Sequence, residues 1–301
     1  MNFNKNKAKH NIIGVKLKLD FDPKKNMSAF AYLTAKINGK IDKINDFLSI
    51  RKIARNWADV VLFRMGLKKT LIIKFIDGKS VYFKNMKEYF DFWKSGECLP
   101  ELLKVIDRQY KWLDVKNRDV VDIGANIGDT AIYFALKGAK HVYAFEPYPY
   151  SYNIAKKNIR LNHLEDKITL LNEGCGKSGS IAIKEDYKNT VGTDLKSFKE
   201  GKKIRIEGLD EIVKRFNLKH AALKVDCEGC EYDLILNASD EALKAFDQII
   251  IEYHYGYRNL VNKLNSNFTV KVKLPKFIYN REAQFKSTYT GLIFCRLKMS
   301  A

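Results

Sequence analysis

The sequence predicts an α/β protein built on a doubly wound, mostly parallel sheet with helices on both faces, preceded by a small α+β extension. Three observations carry that prediction. From Asp119 onward, short apolar runs rich in β-branched residues alternate with amphipathic segments, as in a sheet built by crossovers. The first run, Asp119 to Ile123, leads into the glycine turn Gly124-Ala-Asn-Ile-Gly128 and then the amphipathic stretch Thr130 to Gly138. Near the C-terminus FTVKVK and GLIFCRLK alternate with period two, as an antiparallel pair does.

In chain order, residues 1–25 are polar and basic and read as a loosely held arm ending at Asp22-Pro23. Apolar positions recur at helical spacing from Ser28 to Gly66, most clearly through Ile53, Trp57, Val60, Val61 and Phe63. Leu71 to Lys84 reads as a hairpin, with Asp77-Gly78 as its two-residue turn. Two short helices are expected near Met86–Lys94 and Pro100–Tyr110, and nothing in residues 1–115 carries a catalytic signature. The sheet then adds strands at His141–Pro147, Ile168–Leu171, Ala221–Asp226 and Asp247–His254. Helices are expected at Tyr150–Leu161, Leu209–Phe216 and Leu234–Leu243, with short strands at Ile181–Lys184 and Lys203–Ile206. The division this implies is a basic extension, residues 1–115, serving as cap or substrate module, and a main domain, residues 116–301.

A chain of 301 residues with 46% hydrophobic content can bury a sizeable core. No run reaches the roughly 18–20 apolar residues of a membrane span, and no apolar stretch follows the basic N-terminus, so a soluble cytoplasmic protein is expected. Five cysteines, odd in number and without scaffold spacing, agree with a reducing compartment. Residues 1–118 hold 26 Lys+Arg against 12 Asp+Glu, so they carry +14 of the net +19. Such a face attracts nucleic acid, anionic lipid or phosphorylated substrates, although lysines spread over a solvated surface give the same total.

The glycine turn has a ligand chemistry of its own. A dinucleotide turn, G-x-G-x-x-G, lets the backbone approach a pyrophosphate. Here Asn126 and Asp129 take the second and third glycine places, and Asp122 ends the strand with a carboxylate that would repel a diphosphate. A carboxylate suits a cationic ligand, and S-adenosylmethionine has an ammonium, a sulfonium and no phosphate. Asp122, Gly124, Asn126 and Gly128 are therefore read as a methyl-donor site. Glu146 ends the second strand of the sheet, where a carboxylate can take both hydroxyls of a ribose bound over the first turn. Asn172 and Glu173, ending the third strand, are the expected neighbours of the adenine.

The densest constellation is Lys224-Val-Asp-Cys-Glu-Gly-Cys-Glu231, which sets Asp226, Glu228 and Glu231 at the carboxyl end of the fourth strand. So many acids around one turn repel unless a cation, a metal or raised pKa values relieve them. An acid here can face the positive end of the donor or take the proton of an acceptor hydroxyl. His254, ending the fifth strand beyond Glu252, is a candidate base or acceptor-positioning group, and a structurally bonded histidine fits the same place. Cys227-x-x-Cys230 lacks the second pair that a structural zinc site needs, so both cysteines read as small fillers and no metal is assigned. Oxygen ligands around Mg²⁺ remain an alternative use of the acids. The sequence has neither an Asn/Asp-Pro-Pro-Tyr tetrad nor a Pro-Cys pair, which argues against methylation of base amino groups and covalent attack on pyrimidines.

These segments resemble the FkbM family of S-adenosylmethionine-dependent methyltransferases. The likeness lies in VVDIGANIGDT, AFEPYPYSYNIAKKNI, GLDEI, and LKVDCEGCE followed by IIIEYH, covering about Asp119 to His254. The family's K-x-D-x-E-G-x-E pattern is met in full at Lys224, Asp226, Glu228, Gly229 and Glu231. The resemblance implies a class I methyltransferase (Rossmann-like) fold, seven-stranded with an antiparallel last strand. It also implies O-methylation of a hydroxyl on a sugar, glycan or other small metabolite. Asp226, Glu228, Glu231 and His254 are then expected at the reacting centre. The rival readings are an RNA ribose methyltransferase that uses the basic extension, and a non-catalytic binding protein of the same fold. Nucleic acid is the less favoured partner, and contact with an anionic surface is compatible with the charge.

Overall fold

The structure is a computed structural model that describes residues 51, 54–74, 80–84, 110–185, 187, 195, 197–273 and 291–298. Within the extension, helix α1 (Trp57–Arg64) precedes an antiparallel hairpin of β1 (Leu71–Lys74) and β2 (Ser80–Phe83), paired from Leu71 with Phe83 to Lys74 with Ser80. The expected turn at Asp77-Gly78, the arm at residues 1–25 and the helix at Met86–Lys94 lie outside the described residues. So does the helix expected at Pro100–Tyr110, except for Tyr110 itself.

The main sheet begins with β3 (Asp119–Ile123), helix α2 (Asp129–Leu136), β4 (His141–Phe145), helix α3 (Pro149–Leu161) and β5 (Ile168–Leu171). A three-stranded insert follows, made of β6 (Gly174–Cys175), β7 (Gly179–Ile183) and β8 (Lys202–Glu207) in the order β6-β8-β7. The chain returns through helix α4 (Leu209–Phe216) to β9 (Ala221–Val225), helices α5 (Cys230–Leu236) and α6 (Asp240–Lys244), and β10 (Phe246–Tyr253). It closes with helix α7 (Arg258–Leu264), β11 (Phe268–Lys273) and β12 (Gly291–Leu297). The seven strands lie in the order β11-β12-β10-β9-β3-β4-β5. β12 runs antiparallel between β10 and β11, and β3, β4, β5, β9 and β10 are parallel. The expected seven-stranded sheet and its antiparallel last strand are therefore present.

The single helix expected over Leu234–Leu243 is two. The first ends at Leu236 with Asn237 as its C-cap, and Ser239, in extended backbone, caps α6 by accepting the Ala242 N–H on its Oγ at 3.1 Å. Apolar residues lie on both sides of Ser239, so the pattern alone does not reveal the break.

Period-two alternation divides the buried strands between two cores. Val120, Val142, Ala144 and Ile250 face one side, and Val121, Ile123, Phe145, Ile249 and Ile251 face the other. The first core does not stop at the sheet. Phe63 of α1 and Leu71, Ile73, Val81 and Phe83 of the hairpin join it with Tyr150, Ile154 and Ile159 of α3. Each fully buried side chain of this kind stabilises by roughly 1.5–3 kcal/mol, an amount a four-residue hairpin strand cannot gather alone.

Candidate active site

The carboxyl ends of β3, β4, β9 and β10 meet at one edge of the sheet, where ligands of open α/β folds bind. The glycine turn is fixed there by close approach. Gly124 has φ +78°, and a Cβ on it would lie 1.8 Å from the carbonyl oxygen of Asp226, so no other residue fits between β3 and the end of β9. Asn126 also takes left-handed backbone, φ +46°. Its N–H donates to Glu146 Oε2 at 2.9 Å, and the Tyr148 N–H donates to Glu146 Oε1 at 2.9 Å. Glu146 is buried, and burial pushes its carboxyl up to about 8, against the pull of these two amides and of Lys224.

Asp122 does not present its charge to the opening. It is fully buried, accepts Thr130 Oγ1–H at 2.6 Å and faces Lys224 Nζ at 3.0 Å. Lys224 also donates to the carbonyls of Ile123 at 3.1 Å and Gly124 at 2.9 Å. These two hydrogen bonds and the ion pair hold the strand end and the first residue of the turn together. The Asp122 carboxylate, expected from sequence to meet a cationic ligand, is neutralised from within by a lysine on the neighbouring strand.

Asn172 and Glu173 are likewise engaged by protein groups. Asn172 Nδ2 donates to the carbonyls of Glu146 (3.0 Å) and Pro147 (3.1 Å), and its Oδ1 accepts Lys202 Nζ at 2.8 Å. Glu173 pairs with Arg215 at 2.7 Å. Asn172 therefore shapes the loop that carries Glu146, and the Glu173 carboxylate turns toward α4.

The acids after β9 surround His254. Glu231 is fully buried and accepts three N–H groups: Gly229 at 2.9 Å, the His254 backbone at 3.1 Å and His254 Nδ1 at 2.9 Å. That bond turns His254 Nε2 toward Glu228 Oε2 at 3.2 Å, with Asp226 Oδ1 at 4.0 Å. Burial opposes a charge on His254. The Glu231 bond and the charges of Glu231, Glu228 and Asp226 outweigh it and lift the imidazole to about 9. With Nδ1 engaged by Glu231 and the pKa raised to about 9, the protonated form of His254 is favoured at neutral pH, which suits the positioning role expected of it better than the role of base. Glu228, at φ +55°, and Asp226 keep more than a quarter of their side chains exposed, so these two acids stay open to solvent at the sheet edge. Asp226, Glu252 and His254 also offer one ligand atom each within 4.8 Å of one another, close enough to share a divalent cation.

Cys227 and Cys230, read as unreactive fillers, form a disulfide that closes a ring around Glu228-Gly229. Cys175 and Cys295 are free and buried. The site also draws on groups that sequence reasoning passed over. Buried Tyr110, from the extension, directs its O–H at Asp226 Oδ2 at 3.4 Å. Burial, and after it the charges of Asp226, Glu252, Asp122 and Asp129, hold this phenol well above its usual range, so it keeps the proton that points at Asp226. Asp129, opening α2, is pushed to about 6, chiefly by burial. No motif marks Tyr110, because its partner lies 116 positions away.

Three comparisons bear on identity. A family model described as the methyltransferase FkbM domain matches residues 122–273. Ribosomal protein L11 methyltransferase of Carboxydothermus hydrogenoformans is 46% identical over 52 residues, 17% of this chain and 17% of that protein. The tRNA (guanine(37)-N(1))-methyltransferase Trm5b of Methanocaldococcus jannaschii is 35% identical over 103 residues, 34% of this chain and 27% of that protein. The chain thus spans about a sixth to a quarter of the length of these curated relatives. Among solved structures, M. capricolum TrmK with S-adenosyl-homocysteine aligns at 16% identity and TM-score 0.41, covering 66% of this chain and 69% of that one. No helix among the described residues is long and apolar enough to cross a membrane.

Proposed function

The chain belongs to the FkbM methyltransferase family, and we propose that it transfers a methyl group from S-adenosylmethionine to a hydroxyl of a sugar, glycan or other small metabolite. The cofactor of this family is S-adenosylmethionine, which supplies an electrophilic methyl group carried on a sulfonium.

The residues at the sheet edge fit such a donor. The close approach of Gly124 to Asp226 keeps the first position of the turn free of a side chain beside the strand ends. Glu146, with one amide on each oxygen, keeps further lone pairs for the hydroxyls of a ribose. Asn126 and Gly128 would shape the turn against which the donor lies, and Asp122 would act from beneath, through Lys224 and Thr130.

The observation that carries the acceptor reading is the chain Glu231–His254–Glu228. Glu231 fixes the imidazole, the imidazolium offsets the acids around it, and Glu228 and Asp226 are left half-open at the end of β9. Asp226 sits directly across from the donor turn, since its own carbonyl is the atom Gly124 abuts. A hydroxyl bound there can hand its proton to Glu228 or Asp226 as its oxygen becomes the nucleophile. Glu231 and His254 then serve as positioning groups for the acids that do this work. The acidic rim opposes a phosphate backbone, which disfavours RNA as acceptor. Incubating the protein with radiolabelled donor and fractionated glycans, metabolites and RNA tests the proposal. Label in a sugar or metabolite hydroxyl is expected, and label confined to RNA overturns the acceptor assignment.

A further inference from the structure

We propose that Asn158 is a positioning residue for the donor turn and that, through it, the N-terminal hairpin is part of the donor-binding machinery. The inference rests on the donor reading above.

Asn158 lies on the inner face of α3 and is 1% exposed. Its Nδ2 donates to the carbonyl of Ile127, inside the glycine turn, at 2.8 Å. Its Oδ1 accepts the backbone N–H of Tyr82, on β2, at 2.7 Å. The amide orientation follows from these partners, because an N–H must meet the oxygen and a carbonyl must meet the NH₂. The hairpin therefore sets the direction in which Asn158 donates. One turn further along α3, Asn162 accepts the Ser80 N–H at 3.0 Å and donates to the Ser80 carbonyl at 2.8 Å. Helix α3 thus supplies β2 with the bonds that a neighbouring strand would. The same helix supports the turn by contact, since a Cβ on Gly128 would lie 3.1 Å from that of Ala155. Ile127 stands between Asn126, whose N–H binds Glu146, and Gly128, whose N–H closes the turn onto Ala125 at 2.7 Å. Fixing the Ile127 carbonyl fixes the peptide planes on which the donor would rest. An amide carries its donor and its acceptor on separate atoms and so can serve both partners at once, and leaving either partner unmatched in this buried place carries a desolvation penalty.

Two substitutions separate the bonds. Asn158→Asp keeps the acceptor for Tyr82 and removes the donor to Ile127. Tyr82→Pro removes the N–H that orients Asn158 from the outer edge of the hairpin, where proline is tolerated, and Tyr82→Ala retains that N–H as the control. Calorimetry with S-adenosylhomocysteine should show Asn158→Asp weakening binding by about tenfold or more. Tyr82→Pro should weaken it by about fivefold and Tyr82→Ala by less than about twofold. Turnover at saturating donor should stay close to that of the unmodified protein, so the loss falls on donor KM rather than kcat. In the unmodified protein, S-adenosylhomocysteine should slow hydrogen exchange at the Tyr82 amide, because coupling between two sites is reciprocal. Binding by Asn158→Asp and Tyr82→Pro that equals the unmodified protein overturns the inference. If Asn158→Asp fails to fold, the Tyr82 pair and the exchange measurement decide, and an unchanged Tyr82 amide overturns it. An unmodified protein that binds no S-adenosylhomocysteine overturns the donor reading and this inference together.

Discussion

Lys224 Nζ lies 3.0 Å from Asp122 Oδ1, and both side chains are withdrawn from solvent between adjacent strands of the sheet. Breaking such a pair from one side leaves an uncompensated buried charge. Lys224→Met should therefore lower unfolding free energy by about 3–5 kcal/mol in urea denaturation. The double variant Asp122→Asn, Lys224→Met should regain most of that stability while still lacking the bonds to Ile123 and Gly124. Equal stability of the single and double variants would remove the charge pair as the cause.

Glu146 joins the turn to the loop after β4 through one amide on each oxygen. Glu146→Ala is expected to weaken S-adenosylmethionine binding by more than about tenfold, the equivalent of one or two lost hydrogen bonds at a buried carboxyl group. Unchanged calorimetric affinity in that variant would end the assignment of Glu146 to the ribose.

Glu228 is the half-open acid nearest the imidazole. Glu228→Gln keeps the size and removes the proton acceptor, so turnover should fall by about 10²-fold or more with donor binding intact. Retained turnover on the true acceptor would take Glu228 off the list of reacting groups and leave Asp226.

His254 titrates near 9 in the folded protein, where the ordinary value is 6.5. A group with a raised folded-state pKa gives stability that is fully present below its unfolded value and is lost as pH rises through the folded one. Unfolding free energy should therefore decline between about pH 6.5 and pH 9 through His254, and the Glu146 carboxyl, raised from 4.5 to about 8, adds a decline of its own between about pH 4.5 and pH 8. His254→Gln should flatten this slope whatever it does to absolute stability. An equal slope in both proteins would show that the Glu231–His254 contact does not shift the imidazole.

How much of this was legible in advance differs residue by residue. The succession of strands and helices over residues 119–273 is written in local pattern: apolar runs of strand length, a glycine turn and amphipathic helices in alternation. Gly124 could be singled out because a turn between strand and helix needs left-handed backbone, and Asp226, Glu228, Glu231 and His254 because strand ends converge on one sheet edge. Such signals are short-range or follow from the right-handed crossover rule, so the sequence by itself determined the fold class and the family and pointed to the sheet edge where the site is proposed.

What only the tertiary structure decided is which charges remain available for a ligand. Asp122 was expected to face a cation, yet Lys224, 102 positions later in the sequence, neutralises it. Glu173 meets Arg215, His254 becomes an imidazolium between acids from a different loop, Tyr110 reaches Asp226 from outside the matched domain, and Cys227 closes onto Cys230. Electrostatic pairing and burial depend on distances between segments remote in sequence, and a few ångströms decide whether a carboxylate is an internal counter-ion or a proton acceptor. Residue type and spacing carry no such distances.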